Sequence, residues 1–392
     1  MKKIELLAPA GDMERLKITL LYGADAVYIG GPRLGLRANA VNFTMEQIQQ
    51  ACSFAHSLEK KVYVTVNIVF HDAEREGLEE YLAALVHCGV DAMIISDVYV
   101  MKYVHEHFPM VEVHVSTQAS VTNTAASSFY ALLGASRIVL ARELSKEDIA
   151  AITKEAPVET EVFIHGAMCT CYSGRCALSN YVTNRDANRG GCAQVCRFCF
   201  SDGDSAFTMA TKDLSMTHYV KDLIEMKVAS LKIEGRMRSI YYLATVVSCY
   251  RKLIDAIYEN NLDDNLMQQI DKTLSSVANR EVSTQFFHHV ADETDQYYTG
   301  RQEISNQEYL GLVVGYHDGL IELIERNYFE VGDEVEIFTP DGATYALTVT
   351  TLYDDTNTPI TIARHPEQHL FIPFFKEIPT YSMIRLIRKK RD

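Results

Sequence analysis

The feature that most constrains this chain is a repeated alternation. Short apolar, β-branched runs recur along it, separated by stretches with helical spacing of apolar residues. The runs are 4-IELLA-8, 26-AVYIG-30, 62-VYVTV-66, 92-AMIIS-96, 112-EVHVS-116, 137-RIVLA-141, 161-EVFIH-165 and 230-SLKIE-234. Four of them share a lead-in: 23-GADAVYIG-30, 89-GVDAMIIS-96, 134-GASRIVLA-141 and, more loosely, 228-VASLKIEG-235. In each, a helix stops at a glycine or small residue and a buried strand follows. Between the runs, 44-TMEQIQQACSFAHSLEK-60 and 78-LEEYLAALVHC-88 carry helical periodicity, and Ser145 is placed to cap a helix beginning at Lys146.

Strands alternating with helices make a parallel sheet, and eight such units fit a TIM-like (β/α)8 barrel better than an open doubly wound sheet. The segment 239–260 reads as the closing helix. The expected domains are a barrel over 1–278 with a cysteine-rich insertion at about 166–206, a connector at 279–307 with little periodicity, and a C-terminal domain over 308–392. In that last region short strands and the turn-forming Asp318-Gly319 and Asp341-Gly342 pairs predict a small all-β barrel.

In such a barrel the residues just after each strand line the C-terminal mouth, where catalysis sits. Those positions hold Arg37 and Asn39, Asn67, Asp97, Thr117 and Gln118, Arg142 and Glu143, His165, and Glu234 and Arg236. This is a polar mouth with several arginines. His105 and His107, in 104-VHEHF-108, lack the H-E-x-x-H spacing of a zinc protease and read as surface groups.

Six of the nine cysteines fall within residues 169–199, as Cys169-x-Cys171-x4-Cys176-x15-Cys192-x3-Cys196-x2-Cys199. No apolar run reaches the ~18–20 residues of a membrane span, and MKKIELLAPAGD is interrupted too early for a secretory leader. A cytoplasmic location is therefore expected, where disulfides are rare and clustered cysteines bind metal or do chemistry. Structural zinc sites favour paired C-x2–4-C knuckles, which only the downstream half offers. Iron–sulfur clusters accept more varied spacing, and glycines at 174, 190 and 191 would bring backbone N–H groups close to sulfide. The C-x3-C-x2-C of Cys192, Cys196 and Cys199 also matches the signature of radical enzymes that cleave S-adenosylmethionine, but it follows the seventh strand rather than the first. Cys52, Cys88 and Cys249 sit in helical patterns and read as small core residues.

The net charge of −15 argues against binding nucleic acid by bulk attraction. Residues 169–200, however, carry Arg175, Arg185, Arg189 and Arg197 against one acid, Asp186. The cysteine segment is a positive island in an acidic protein, and these arginines would offset the charge of an anionic cluster.

The segment 161-EVFIHGAMCTCYSGRCALSNYVTNRDANRGGCAQVCRF-198 resembles the collagenase-like peptidase family, number 32 of the peptidases of unknown catalytic type. The likeness extends to 7-LAPAGDMERL-16, 23-GADAVYIGG-31, 116-STQASVTN-123, 140-LARELS-145, 211-TKDLSM-216, 232-KIEGRMRSIYYLATVV-247 and the region from 308. The resemblance implies either proteolysis, as the family name has it, or oxygen-independent hydroxylation with a [4Fe–4S] cluster. In the RNA-acting branch prephenate is the implied hydroxyl source. Within that branch the chain looks like the bacterial tRNA hydroxylation proteins that make 5-hydroxyuridine at the wobble position of the anticodon loop. Other relatives modify ribosomal RNA or a quinone precursor, and some act as pairs of paralogous subunits, so a homo- or hetero-oligomer is a further expectation.

Carried over residue by residue, the cluster ligands implied are Cys169, Cys176, Cys192 and Cys196, with Arg175, Arg189 and Arg197 around the cofactor. Cys171 and Cys199 are surplus to that pattern, and Ser215 stands where many relatives have cysteine. No G-x-S-x-G, H-E-x-x-H or papain-like cysteine context supplies a protease nucleophile or metal-bound water. A dianion such as prephenate would suit recognition by Arg37, Arg142 and Arg236. The remaining alternative is a non-catalytic RNA-binding protein.

Overall fold

The computed structural model describes residues 3–36, 42–203, 205–277, 280–297 and 309–388. The eight expected runs form eight parallel strands: β1 Glu5–Pro9, β2 Ala26–Gly30, β3 Lys61–Val66, β4 Ala92–Ile95, β5 Glu112–Val115, β6 Arg137–Val139, β7 Glu159–Gly166 and β8 Ser230–Ile233. They pair in sequence order, and β8 pairs with both β7 and β1, which closes the barrel. The outer helices include α1 Met13–Leu21, α2 Met45–Ser57, α3 Leu78–His87, α4 Val98–His107, α5 Thr124–Leu132, α6 Lys146–Glu155, α7 Val220–Glu225 and α8 Ile240–Tyr258.

The repeated lead-in has a local cause. Gly23, Gly89 and Gly134 adopt left-handed φ values just after α1, α3 and α5, where a Cβ would be strained. In the looser fourth copy Lys227 takes this position at φ 66°. The aspartate that follows in two copies braces the preceding strand. Asp25 accepts from the Leu6 N–H at 2.9 Å and Asp91 from the Val62 N–H at 2.8 Å. Ser145 caps α6 as expected, accepting from the Asp148 N–H at 3.1 Å.

Side chains alternate across each strand, so every second residue points into the barrel. Outward-facing residues pack against the helices in one large core. Leu7, Ala26, Tyr28, Tyr63, Ala92 and Ile94 form a separate inner cluster. Toward the N-terminal end, inward-facing Arg137 pairs with Glu5 (2.6 Å), Glu159 (2.7 Å) and Glu161 (3.2 Å), while Lys232 pairs with Glu161 at 2.7 Å. Each buried charge therefore has an opposite partner, as a dry interior requires.

Residues beyond β7 leave the barrel and return through the short strand Asp213–Ser215, which lies antiparallel to the end of β7 (Leu214 opposite Gly166, Ser215 opposite His165). The cysteine-rich insertion is thus pinched at its base. The segment expected as an unpatterned connector is tied into the structure where it is described. Val282–Ser283 pairs with Asp213–Ser215, Gln296–Tyr297 pairs with Ala210–Thr211, and Arg280 meets Asp213 at 3.0 Å.

The C-terminal domain is all-β. Its main antiparallel sheet has the strands β9 Tyr309–His317, β10 Leu320–Glu325, β11 Glu334–Phe338, β12 Thr344–Thr348, β13 Leu352–Asp354, β14 Pro359–Ile360, β15 His369–Pro373 and β16 Met383–Arg388. Their order is β12-β11-β16-β9-β10-β15-β13-β14, around a core of its own. The domain docks on the barrel through Tyr241 stacked on Tyr309 and through the Tyr22 hydroxyl, which donates to Tyr381 O at 2.9 Å. Among the described residues no helix is long and apolar enough to cross a membrane.

Candidate active site

The top layer of inward-facing side chains (Tyr28, Thr65, Ile94, Ser116, Val139, Phe163 and Lys232) forms the floor of a cavity of about 210 Å3 at the C-terminal mouth. Its walls combine barrel-end residues with the insertion: Gln118, Arg142, Glu234 and Arg236 from the former, Cys169, Cys192, Cys196 and Arg197 from the latter. A thiol-bearing loop and a polar, cationic barrel mouth thus line one cavity. Arg37 and Asn39 lie outside the described residues.

Each wall residue is held by its neighbours. The Arg142 guanidinium lies 3.9 Å from the centre of the Phe163 ring and donates to Ala167 O at 2.8 Å. Buried Arg236 donates to Asn42 Oδ1 at 2.6 Å, and Gly30 makes room for it, since a Cβ there would come within 2.5 Å of Nη2. Glu234 accepts from the Tyr28 hydroxyl at 3.0 Å, and burial followed by this carboxylate holds the phenol well above its usual pKa, so it stays a donor. Gln118 lines the cavity, and its buried Oε1 lacks a partner. Gly174 leaves space for its amide, because a Cβ would lie 2.7 Å from Nε2.

The insertion is built to hold its cysteines. Asn188 Oδ1 accepts from the Cys176 N–H at 3.0 Å while its Nδ2 donates to Cys176 O at 2.9 Å. The Met209 N–H donates to Cys196 O at 3.0 Å. Left-handed residues interrupt both cysteine-bearing turns, Ser173 and Gly174 before Cys176 and Gln194 before Cys196. Such kinks turn backbone N–H groups toward one side and suit an anion.

The six cysteines separate into two groups. Burial raises the pKa of Cys169 and Cys196, and neighbouring cysteines add to it: Cys196 and Cys192 for Cys169, Cys192 and Cys176 for Cys196. Burial, then a hydrogen bond with Cys176, pushes Cys171 up to about 12, with Cys169 and Cys196 also in range. Five thiols therefore share a neighbourhood, and a metal would have to deprotonate those it binds. Cys199 is exposed and lies outside the cavity wall. Both Cys171 and Cys199 were surplus in the sequence pattern, but only Cys171 adjoins the expected ligands. Five sulfur donors in one neighbourhood are a soft ligand set of the kind that thiolate-bound metal centres use.

Four expected site residues take other roles. His165 was expected at the mouth but faces α8. Opposite it, the pairing of β7 with β8 shifts register between Lys232 and Ile233, so that Ile164 is an extra residue in β7. Such a bulge re-aims the side chain that follows it. His165 Nδ1 sits 3.2 Å from the Tyr250 hydroxyl, and burial, with a smaller effect of Arg238, lowers its pKa to about 3. Glu143 lies outside the cavity wall and accepts from the Ser173 N–H and, at 3.2 Å, from its hydroxyl, anchoring the insertion. Arg189 forms a two-pronged pair with Glu74, and Arg175 donates to Gln118 O at 2.7 Å. Of the three arginines expected around a cofactor, only Arg197 lines the cavity. Conversely, Lys232, Tyr28, Thr65 and Ser116 escaped the sequence reading, which looked beyond the strand ends. Strand alternation, counted back from Glu234, Gly30, Asn67 and Gln118, would have found them.

A closed (β/α)8 barrel with a thiol-bearing insertion at its mouth and a C-terminal all-β domain defines a TIM-barrel protein with a cysteine-lined cavity at the C-terminal end of its strands. The chain belongs to Peptidase family U32, which matches residues 11–297, and the Peptidase family U32 C-terminal domain matches residues 305–385. It is 42% identical to "tRNA hydroxylation protein P1" of Bacillus subtilis, over 98% of this chain and 95% of that protein. It is 38% identical to a 23S rRNA 5-hydroxycytidine synthase of Escherichia coli, over 67% of this chain and 41% of that protein. A protein named "Collagenase" from Porphyromonas gingivalis is 34% identical over 86% of both chains.

Proposed function

We propose that this protein is an RNA-modifying hydroxylase acting on tRNA, converting the wobble uridine to 5-hydroxyuridine in the cytoplasm, with a [4Fe–4S] cluster and prephenate as hydroxyl source. One observation carries the reading: cysteines of the insertion and cationic side chains of the barrel mouth line the same cavity. The names of relatives at 42% and 38% identity support an RNA target.

Cys169, Cys176, Cys192 and Cys196 would hold the cluster, with Cys171 beside them. When bound, the cluster supplies one-electron chemistry at the cavity wall. The chain's own residues do the rest. Arg142 and Arg236 present guanidinium groups to a carboxylate, while the Lys232 ammonium beneath them is paired with Glu161. Gln118 Oε1 accepts a hydrogen bond from whichever ligand group enters beside it. The Tyr28–Glu234 pair holds a proton at the phenolic oxygen, next to a carboxylate that can accept one. The insertion supplies one wall of the mouth. A uridine reaches this cavity only if unpaired or flipped, which an anticodon loop permits.

Loss of the gene, in a strain without a paralogue, is expected to abolish wobble 5-hydroxyuridine on mass spectrometry of tRNA nucleosides. Unchanged modification would reject the reading. A peptidase reading would predict cleavage of denatured collagen by the purified, metal-loaded protein.

A further inference from the structure

The cavity encloses space for a base-sized group, whereas an RNA loop is a chain. Nucleotides on either side of the target must lie on the rim. There the insertion exposes aromatic rings: Tyr181 is 87% exposed, Tyr172 54% and Phe198 43%. Tyr181 sits on the short helix Leu178–Thr183, which packs on the turn Val195–Arg197, and Phe198 follows that turn. The Ala193 N–H donates to Ser179 Oγ at 3.3 Å, tying the helix to the segment before the turn, and the Phe198 N–H donates to Val195 O at 3.0 Å, closing the turn itself. The same turn carries Cys196 and Arg197 into the cavity wall. Phe198 therefore follows directly on a turn that lines the mouth, and Tyr181 sits on the helix packed against that turn.

The charge around them is selective. Residues 169–200 hold four arginines and one aspartate in a chain of net charge −15. Arg189 and Arg175 are occupied by Glu74 and by Gln118 O. Arg185 is exposed, with no ion-pair partner among the described residues, one residue beyond the left-handed Asn184 that ends the helix. Exposed aromatic faces interleaved with arginine are the recurrent means of holding single-stranded nucleic acid: rings stack bases, and cations follow phosphates.

We infer that Tyr181 and Phe198, with Arg185 and Arg197, form a stacking platform for unpaired nucleotides flanking the target base. The inference rests on the RNA-acting reading above and adds the surface that recognises the strand. It assigns a binding role to Tyr181, Phe198 and Arg185, none of which lines the cavity, and a second role to Arg197, which does.

The test is fluorescence anisotropy of the full-length, cluster-loaded protein with a fluorescein-labelled anticodon stem-loop RNA. Base–aromatic stacking measured by alanine substitution predicts that Tyr181→Ala and Phe198→Ala each weaken binding by roughly 5- to 100-fold. Tyr181→Phe and Phe198→Tyr should bind nearly as wild type. Arg185→Gln should lower the slope of log affinity against log salt by about 0.7. Unchanged thermal midpoints and iron content certify that the variants are folded. If wild type binds the RNA and both alanine variants bind equally well, the platform is overturned while the RNA reading stands. If the alanine variants instead change the sedimentation of the protein and leave RNA affinity alone, the patch is a contact between copies of this chain, and the inference is equally overturned. If wild type binds no RNA, the functional reading fails and takes the platform with it.

Discussion

Asn188 clasps Cys176 at both backbone polar groups, accepting from its N–H at 3.0 Å and donating to its carbonyl at 2.9 Å. One side-chain amide thereby fixes the peptide of a proposed cluster ligand. Asn188→Ala removes both bonds, and each buried hydrogen bond contributes about 1 kcal/mol. The expected result is iron lost to a chelator roughly 5- to 30-fold faster than from wild type. Asn188→Asp keeps the acceptor and loses the donor, so it should fall between. Equal rates in all three proteins would show that the clasp does not support the metal site.

Gln118 should trade stability for function. Its Oε1 is buried without a partner, which costs stability, and an apolar side chain of similar shape removes that cost. Gln118→Leu is expected to leave the thermal midpoint unchanged or raise it, while lowering kcat/KM for RNA at least tenfold. Gly174→Ala should lower kcat/KM as well, since its new methyl would press on Gln118 Nε2 from a left-handed backbone. A Gln118→Leu enzyme with full activity would remove this residue from the site.

The Arg189–Glu74 pair ties the insertion to the segment after β3. Arg189 holds the Glu74 carboxyl down to about 2. A carboxyl depressed in the fold stabilises above its unfolded pKa of about 4.3 and loses that contribution as pH falls toward the folded value. With both side chains partly solvated, the pair contributes about 1 kcal/mol or less. Limited proteolysis of the insertion should therefore accelerate between about pH 4.5 and pH 3, and Arg189→Met should be cut faster at neutral pH with a flatter pH dependence. Identical profiles would exclude this anchor.

His165 predicts a second pH effect. Burial lowers its pKa to about 3, so the fold keeps the ring neutral where the unfolded chain protonates it near 6.5. The unfolded state thus binds the extra proton between those values, and stability falls as pH drops through that window, by up to about 1.4 kcal/mol per pH unit. In metal-free protein, His165→Phe should show a smaller decline in thermal midpoint from about pH 6.5 to pH 4 than wild type. An equal decline would mean that the ring is solvated.

The barrel was legible in the sequence because each unit repeats the same physics. Three of the four lead-ins have a glycine in the left-handed position that ends the helix, and buried strands follow. Glu234, Arg236, Gln118 and Arg142 were found because strand ends mark the mouth. His165 was misplaced because a one-residue bulge leaves no mark in an apolar run, yet it reverses the face of the side chain. Glu143, Arg175 and Arg189 carry the right charge for a site but are consumed in holding the insertion, a distinction that depends on partners distant in sequence. Lys232 was passed over because it sits within a strand rather than after one. Its inward direction is readable only once the barrel is known to be closed.

The most direct measurement is anaerobic reaction of the cluster-loaded protein with unmodified tRNA and prephenate, followed by mass spectrometry of the wobble nucleoside. The account predicts a gain of one oxygen atom on that uridine, about four irons per chain, and loss of both in Cys176→Ser but not in Cys199→Ser. A protein carrying its full iron content that leaves the uridine unmodified in the presence of prephenate would contradict it.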